Sequence, residues 1–230
     1  MTKMIKAVIF DMDGLMFDTE KPYIQLFEKL CREHEISFPK ECLEQLIGVS
    51  SHVVSKFEKD YPGITEIMNE VDEKYDDYFF SIYPHPGDAN KEGLSLLFDY
   101  LNKNGYKKAI ASSSRKRHIL NLVRYSSVEM NLDAVVSSHS DIPSKPAPDV
   151  FLEAARQLGV KPDECLVLED SKFGIMAAYH AKMHRVWIPD LLTNSKDFEE
   201  YLEYRCNNLA EVIDILEQNK LEKNNFKSLK

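Results

Sequence analysis

Residues 6–20 read KAVIFDMDGLMFDTE. Ala7 to Phe10 is an unbroken apolar run only four residues long, the pattern of an inner strand in a parallel sheet covered on both faces. Charge ends it at once, for Asp11 and Asp13 follow, and then Gly14, a residue at which the chain can turn sharply. Acids at i and i+2 on an extended strand share a face. A turn at Gly14 lets both reach one point beyond the sheet edge, which is where open α/β sheets bind ligands.

The whole chain has 230 residues, enough for one large domain or for a core with an insertion. A chain of this size buries roughly 70% of its unfolded surface. Net charge is -9, from 38 acids against 29 Lys and Arg, and no basic block interrupts it. That balance argues against nucleic acid or an anionic membrane as the main partner, and a protein so charged has to neutralise a bound phosphate locally. Cys31, Cys42, Cys165 and Cys206 show no CxxC spacing; they read as reduced thiols of a cytoplasmic protein, expected to be a monomer. Asp11 follows the N-terminus too soon for a signal peptide, and no apolar run approaches the length of a membrane span.

From Lys21 the apolar period changes from strand to helix. Tyr23, Leu26, Phe27 and Leu30 begin it, and Leu43, Leu46, Ile47, then Val53, Val54, Phe57, then Ile64, Ile67, Met68, Val71, then Tyr75, Tyr78, Phe79 continue it, with breaks at Ser37-Phe38-Pro39, Gly48 and Pro62-Gly63. Residues 17–83 therefore read as an inserted helical domain. The core occupies 1–16 and 84–220, and a flexible tail 221–230. Beyond the rigid Pro84-His85-Pro86-Gly87 connector, strand and helix alternate. Strands are expected at Lys107–Ala111, Ala134–Val136, Cys165–Leu168 and Val186–Ile188, and the class is a Rossmann-like α/β three-layer sandwich around a mainly parallel sheet.

Four strand ends carry polar groups: Asp11 and Asp13, then Ser112, Ser113 and Ser114, then Lys145 after the third strand, then Glu169 and Asp170. Singly these have bland explanations, since Ser112 could cap a helix and Glu169-Asp170 could complement a helix N-terminus. A parallel sheet brings all its C-terminal strand ends to one edge, so the four groups converge. In order, they resemble the haloacid dehalogenase superfamily. DxDG(x)nD[ST]E appears as Asp11, Asp13, Gly14, Asp18, Thr19 and Glu20; the second motif as Ala111 to Ser114; KPxPDxF as Lys145 to Phe151; and the acidic pair as Glu169-Asp170 with Gly174 downstream. The tracts DMDGLMFDTE, ASSSR and CLVLED look like the branch holding pseudouridine-5'-phosphatase, sugar-phosphate phosphatases and β-phosphoglucomutase. Lys182 departs from the pattern, where relatives usually carry Gly.

The resemblance implies a phosphoric monoester hydrolase acting through an aspartyl-phosphate, with Asp11 as nucleophile and Asp13 as general acid/base. It implies Mg²⁺, a hard cation suited to oxygen ligands, held by Asp11, Asp170 and a main-chain carbonyl at Asp13, with Glu169 ligating, orienting or water-bridged. Ser112, Ser113 and Lys145 would bind the phosphoryl group, and the helical insertion would close over the site, with Gly48, Val49, Ser50 and Lys74 as substrate contacts. The substrate is a small phosphorylated metabolite, a sugar or nucleoside monophosphate. Three other readings stay open. Dehalogenases lack the second Asp, so Asp13 argues against that activity. A non-catalytic phosphate sensor has no missing motif residue in its favour. A phosphoglucomutase would share every catalytic group and differ in the cap, where the family's mutases carry His in place of Tyr23 and Arg in place of Ser51; here His52 and Lys74 are the nearby basic groups.

Overall fold

A computed structural model describes residues 4–39, 57–139, 141–191 and 193–227. In chain order its elements are β1 (Ala7–Phe10), α1 (Glu20–Glu33), α2 (Ile64–Ile82), α3 (Leu94–Lys103), β2 (Lys107–Ser112), α4 (Lys116–Tyr125), β3 (Ala134–Ser137), α5 (Asp149–Leu158), β4 (Cys165–Glu169), α6 (Lys172–His180), β5 (His184–Trp187), β6 (Tyr204–Arg205) and α7 (Val212–Lys227). The chain divides into two units, residues 1–17 with 90–230 and residues 18–89. The seams fall after Phe17 and after Ala89, later than the positions read from the sequence.

In the first unit six strands form one parallel sheet in the order β3-β2-β1-β4-β5-β6. β1 lies between β2 and β4, with Phe10 level with Ile110 on one side and Leu168 on the other. Its residues are fully buried because both faces are covered. Ala7, Ile9, Ala109, Ala111, Cys165 and Val167 share a cluster with Val150, Phe151, Ala154 and Leu158 of α5. The alternate residues point the other way, and there Phe10 stacks on Phe98 of α3, ring centroids 4.8 Å apart. Helices on both faces make the three-layer sandwich that the alternating pattern implies.

The second unit packs α1 against α2 through Leu26, Phe27, Leu30, Ile64, Ile67 and Val71. Asp18 and Thr19 of the first motif are structural members of this unit: Asp18 N–H donates to the Ala89 carbonyl at 2.8 Å, Tyr83 Oη donates to Asp18, and Tyr75 Oη donates to the Thr19 carbonyl at 2.7 Å.

Two features depart from the sequence reading. β6, two residues long in a polar stretch, has no apolar run to mark it and forms as an edge strand by pairing Tyr204 with Val186. α7 carries helix to Lys227, past the expected start of the tail, since Leu, Glu and Lys there are good helix formers. The helix ends are more regular. α5 stops at Gly159 (φ 65), whose successor Val160 donates to the Ala155 carbonyl at 3.1 Å. α6 ends in the same closure, Met183 N–H to the Ala178 carbonyl at 3.1 Å, but the left-handed position is Lys182, φ 58. A side chain in that conformation costs about 1 kcal/mol. Lys182→Gly is therefore predicted to stabilise the protein by about that amount, read as a higher urea midpoint at unchanged slope; a lower midpoint would show that the strain is absent.

Candidate active site

The register of β1 fixes what surrounds Asp11. Its N–H continues the ladder by donating to the Leu168 carbonyl at 3.0 Å, which sets Asp11 beside Glu169, the last residue of β4, and next to the end of β2, where Ser112 lies. The chain then folds back on itself, Met16 N–H donating to the Met12 carbonyl at 2.9 Å and Gly14 N–H to the Phe17 carbonyl at 3.0 Å. Gly14 adopts φ 73, and a Cβ there would lie 2.5 Å from Oδ2 of Asp170. Only glycine lets the β1 turn and the Asp170 carboxylate approach so closely.

Lys145 enters just ahead of α5. Its ammonium donates to Asp11 Oδ1 and to Glu169 Oε1, the latter at 2.6 Å, while lying 5.1 Å from the centre of the buried Phe151 ring. The other Glu169 oxygen accepts from the N–H and hydroxyl of Ser171 at 3.0 and 2.9 Å. Ser171 in turn caps α6 by accepting from Gly174 N–H at 3.1 Å. Glu169 is fully buried, and a Cβ on Gly174 would stand 1.8 Å from its Cδ. Asp170 is held through its backbone, whose carbonyl accepts from the indole N–H of Trp187 at 2.7 Å.

Asp13 has different company, accepting at Oδ2 from Ser114 Oγ at 2.7 Å and from Ser112 Oγ at 3.2 Å. The two acids of the first motif are thus placed in distinct environments. Burial raises the Asp11 carboxyl well above the usual carboxylate range; Lys145 acts against this, and Glu169 and Asp13 add to the rise. Burial alone would lower the Lys145 ammonium, but Asp11 and Glu169 outweigh it and hold its pKa above the ordinary value.

Carboxylate oxygens of Asp11, Glu169 and Asp170 all lie within 4.8 Å of one another, and all three residues are buried. Three acids, two of them sharing the Lys145 ammonium, form a donor set of the hard, oxygen-only kind that suits a divalent cation. Of the other residues marked in the sequence, Ser113 is half-buried beside Ser112. Lys74 is on α2, paired with Glu70. Gly48, Val49 and Ser50, with Ser51 and His52, lie outside the described residues. The sequence alone assigns no role to Ser114, Ser171 or Trp187, although Ser114 lies inside the ASSSR tract and Ser171 directly after CLVLED.

One consequence concerns the glycine behind Glu169. Gly174→Ala is predicted to displace the Glu169 side chain and, through it, Lys145, lowering stability by about 1–3 kcal/mol as overpacked cores do. Urea unfolding measures this, and an unchanged midpoint would contradict the close approach described.

The description "Haloacid dehalogenase-like hydrolase" belongs to a family model that matches residues 8–188. A Drosophila melanogaster protein described as a probable pseudouridine-5'-phosphatase is 30% identical over 198 residues, covering 79% of this chain and 80% of its own length. The β-phosphoglucomutase of Bacillus subtilis is 29% identical over 191 residues, 80% of this chain and 83% of its own. Among solved structures, β-phosphoglucomutase from Clostridium difficile superimposes with a TM-score of 0.74 at 22% identity, covering 96% of this chain and 99% of that one, which speaks to the fold alone. With its sheet, its strand-end residues and a match running from β1 past β5, the chain belongs to the haloacid dehalogenase-like hydrolase family.

Proposed function

We propose that the protein is a Mg²⁺-dependent phosphatase that hydrolyses a small phosphorylated metabolite, a sugar or nucleoside monophosphate, through an aspartyl-phosphate on Asp11. The observation that carries this reading is the pair of carboxylates just after β1 with unlike partners: Asp11 against the Lys145 ammonium, Asp13 against two hydroxyls. A nucleophile has to be ionised and a general acid/base has to exchange a proton, and the two surroundings serve those two roles. Burial works against the ionised form of Asp11, so a cation beside it supplies what Lys145 alone does not.

Asp11 and Asp170 would ligate Mg²⁺ directly, with the main-chain carbonyl of Asp13, while Glu169, its oxygens taken up by Lys145 and Ser171, orients them. Bound there, Mg²⁺ screens the repulsion between the carboxylate and the phosphate dianion. Lys145 holds one Asp11 oxygen and adds a fixed positive charge near the transferring group. Ser112, which closes β2, and Ser113 after it would contact the phosphoryl oxygens. Asp11 attacks phosphorus, Asp13 protonates the departing oxygen, and the same Asp13 then takes a proton from the water that cleaves the intermediate. Gly48, Val49, Ser50 and Lys74 of the inserted segment would supply substrate contacts.

A mutase is the second reading, supported by the name of the Bacillus relative. Tyr23, at the position where the family's mutases carry His, is partly buried against the core of the helical unit, its hydroxyl 3.5 Å from Met68 Sδ and its ring 5.8 Å from that of Tyr75. Ser51, where they carry Arg, has no charge with which to clamp a second phosphate. Both favour transfer to water.

Three outcomes follow. Phosphate release from a panel of 4-nitrophenyl phosphate, hexose phosphates and nucleoside monophosphates should require Mg²⁺, and Asp11→Asn should reduce it by orders of magnitude with the fold intact; labelled phosphate trapped on any other residue would sink this assignment. Asp170→Ala should raise the Mg²⁺ concentration for half-maximal rate by at least about tenfold, whereas an unchanged requirement would place the cation elsewhere. With β-glucose 1-phosphate and a trace of the 1,6-bisphosphate, inorganic phosphate should accumulate faster than glucose 6-phosphate. The reverse order would make the enzyme a mutase.

A further inference from the structure

Ser114 belongs to the loop that leaves β2, and its backbone is fixed before its side chain is considered. Its N–H donates to Ser112 Oγ at 2.9 Å, and its carbonyl accepts from Ser137 Oγ at 2.6 Å. Ser112 and Ser137 close β2 and β3 and are level with each other in the sheet. The loop is therefore pinned to two neighbouring strands, and the Ser114 hydroxyl is held at a set position, donating to Asp13 Oδ2 at 2.7 Å. Ser112 Oγ reaches the same oxygen from 3.2 Å. Of the two, Ser114 makes the shorter bond.

We propose that Ser114 is a positioning residue for Asp13: by holding Oδ2 it fixes the plane of the carboxyl, so that the remaining oxygen is the one that moves the proton in both steps. This rests on the acid/base role assigned to Asp13 above. In the first step a P–O bond to Asp11 forms as the ester P–O bond breaks, the electron pair going to the leaving oxygen, which takes its proton from Asp13. In the second, a water oxygen attacks phosphorus, its proton passes to Asp13, and Asp11 departs as the carboxylate, leaving orthophosphate. A carboxyl free to rotate about its last bond would meet the leaving oxygen and the water in the right orientation for only part of the time.

The two steps can be separated by choice of leaving group. The aryl oxide of 4-nitrophenyl phosphate departs without a proton, whereas the alkoxide of glucose 6-phosphate needs one. Ser114→Ala keeps both backbone bonds of the loop, so the fold should be retained. The variant is expected to lower kcat/KM for glucose 6-phosphate roughly tenfold, the worth of one hydrogen bond to a charged group. For 4-nitrophenyl phosphate kcat/KM should stay within about twofold, the ordinary scatter of uncoupled sites, while kcat falls because dephosphorylation still needs the base. Equal losses of kcat/KM for the two esters would assign Ser114 to the phosphoryl group or the scaffold and overturn the proposal. So would a variant indistinguishable from wild type. In an Asp13→Ala background, adding Ser114→Ala should cost nothing further in kcat for 4-nitrophenyl phosphate; losses that multiply would show that Ser114 acts independently of Asp13. A wild-type enzyme that releases no phosphate from any ester of the panel above refutes the phosphatase reading and this inference with it. Turnover by wild type with no effect of Ser114→Ala refutes the inference alone.

Discussion

One ammonium, that of Lys145, is shared by Asp11 and Glu169 where the three side chains are 8%, 9% and 0% exposed. Placing any of these charges alone in such a position costs several kcal/mol, and removing one partner of a buried pair costs about 3–5 kcal/mol because the other is left uncompensated. The surrounding chain is arranged to keep the trio intact. Phe151 backs the ammonium, Ser171 closes off the far oxygen of Glu169, and Gly174 leaves the space that the Glu169 carboxylate fills. The helix α6 thus begins as it does for electrostatic reasons as much as for its own capping.

Two aspartates separated by one residue end up chemically unlike because the sheet gives them different neighbours. Asp11 continues the β1 ladder and faces the end of β4, where the charged groups are. Asp13 lies past that ladder, toward the end of β2, and meets hydroxyls. Strand order alone produces this division, since β1 has β4 on one side and β2 on the other.

That order explains what the sequence could reveal. Ala7–Phe10, Ala109–Ala111 and Cys165–Leu168 are apolar runs ended by polar residues, so both the strands and the convergence of Asp11, Ser112 and Glu169 at one edge were legible from local pattern and from the rule that parallel strands end together. Lys145 was legible less directly, as a group some way past the third strand and as the start of the KPxPDxF tract, because it is placed by α5 and not by a strand end. Ser114 on Asp13, Ser171 on Glu169 and Trp187 on the Asp170 carbonyl were not legible. Each is a side-chain choice among several stereochemically open ones, decided by packing between elements. β6 escaped because two polar residues carry no periodicity, and the Lys182 conformation became definite only when its φ was known.

The position of β1 also bears on how the molecule comes into being. β1 has its partners at Lys107–Ile110 and Cys165–Leu168, so the strand that leads into Asp11 gains its second neighbour only some 150 residues after its own synthesis, roughly 10–30 s later at ordinary rates. Until then the α1–α2 cluster of the second unit, built from that unit's own residues, can form while AVIF lacks a complete sheet. The arrangement has high contact order, and such topologies close slowly. Lys145 and Glu169 come to lie beside Asp11 only with that closure, so a nascent chain carries Asp11 without the charges that surround it in the folded protein, and the trio is completed in a single late event with the docking of β4.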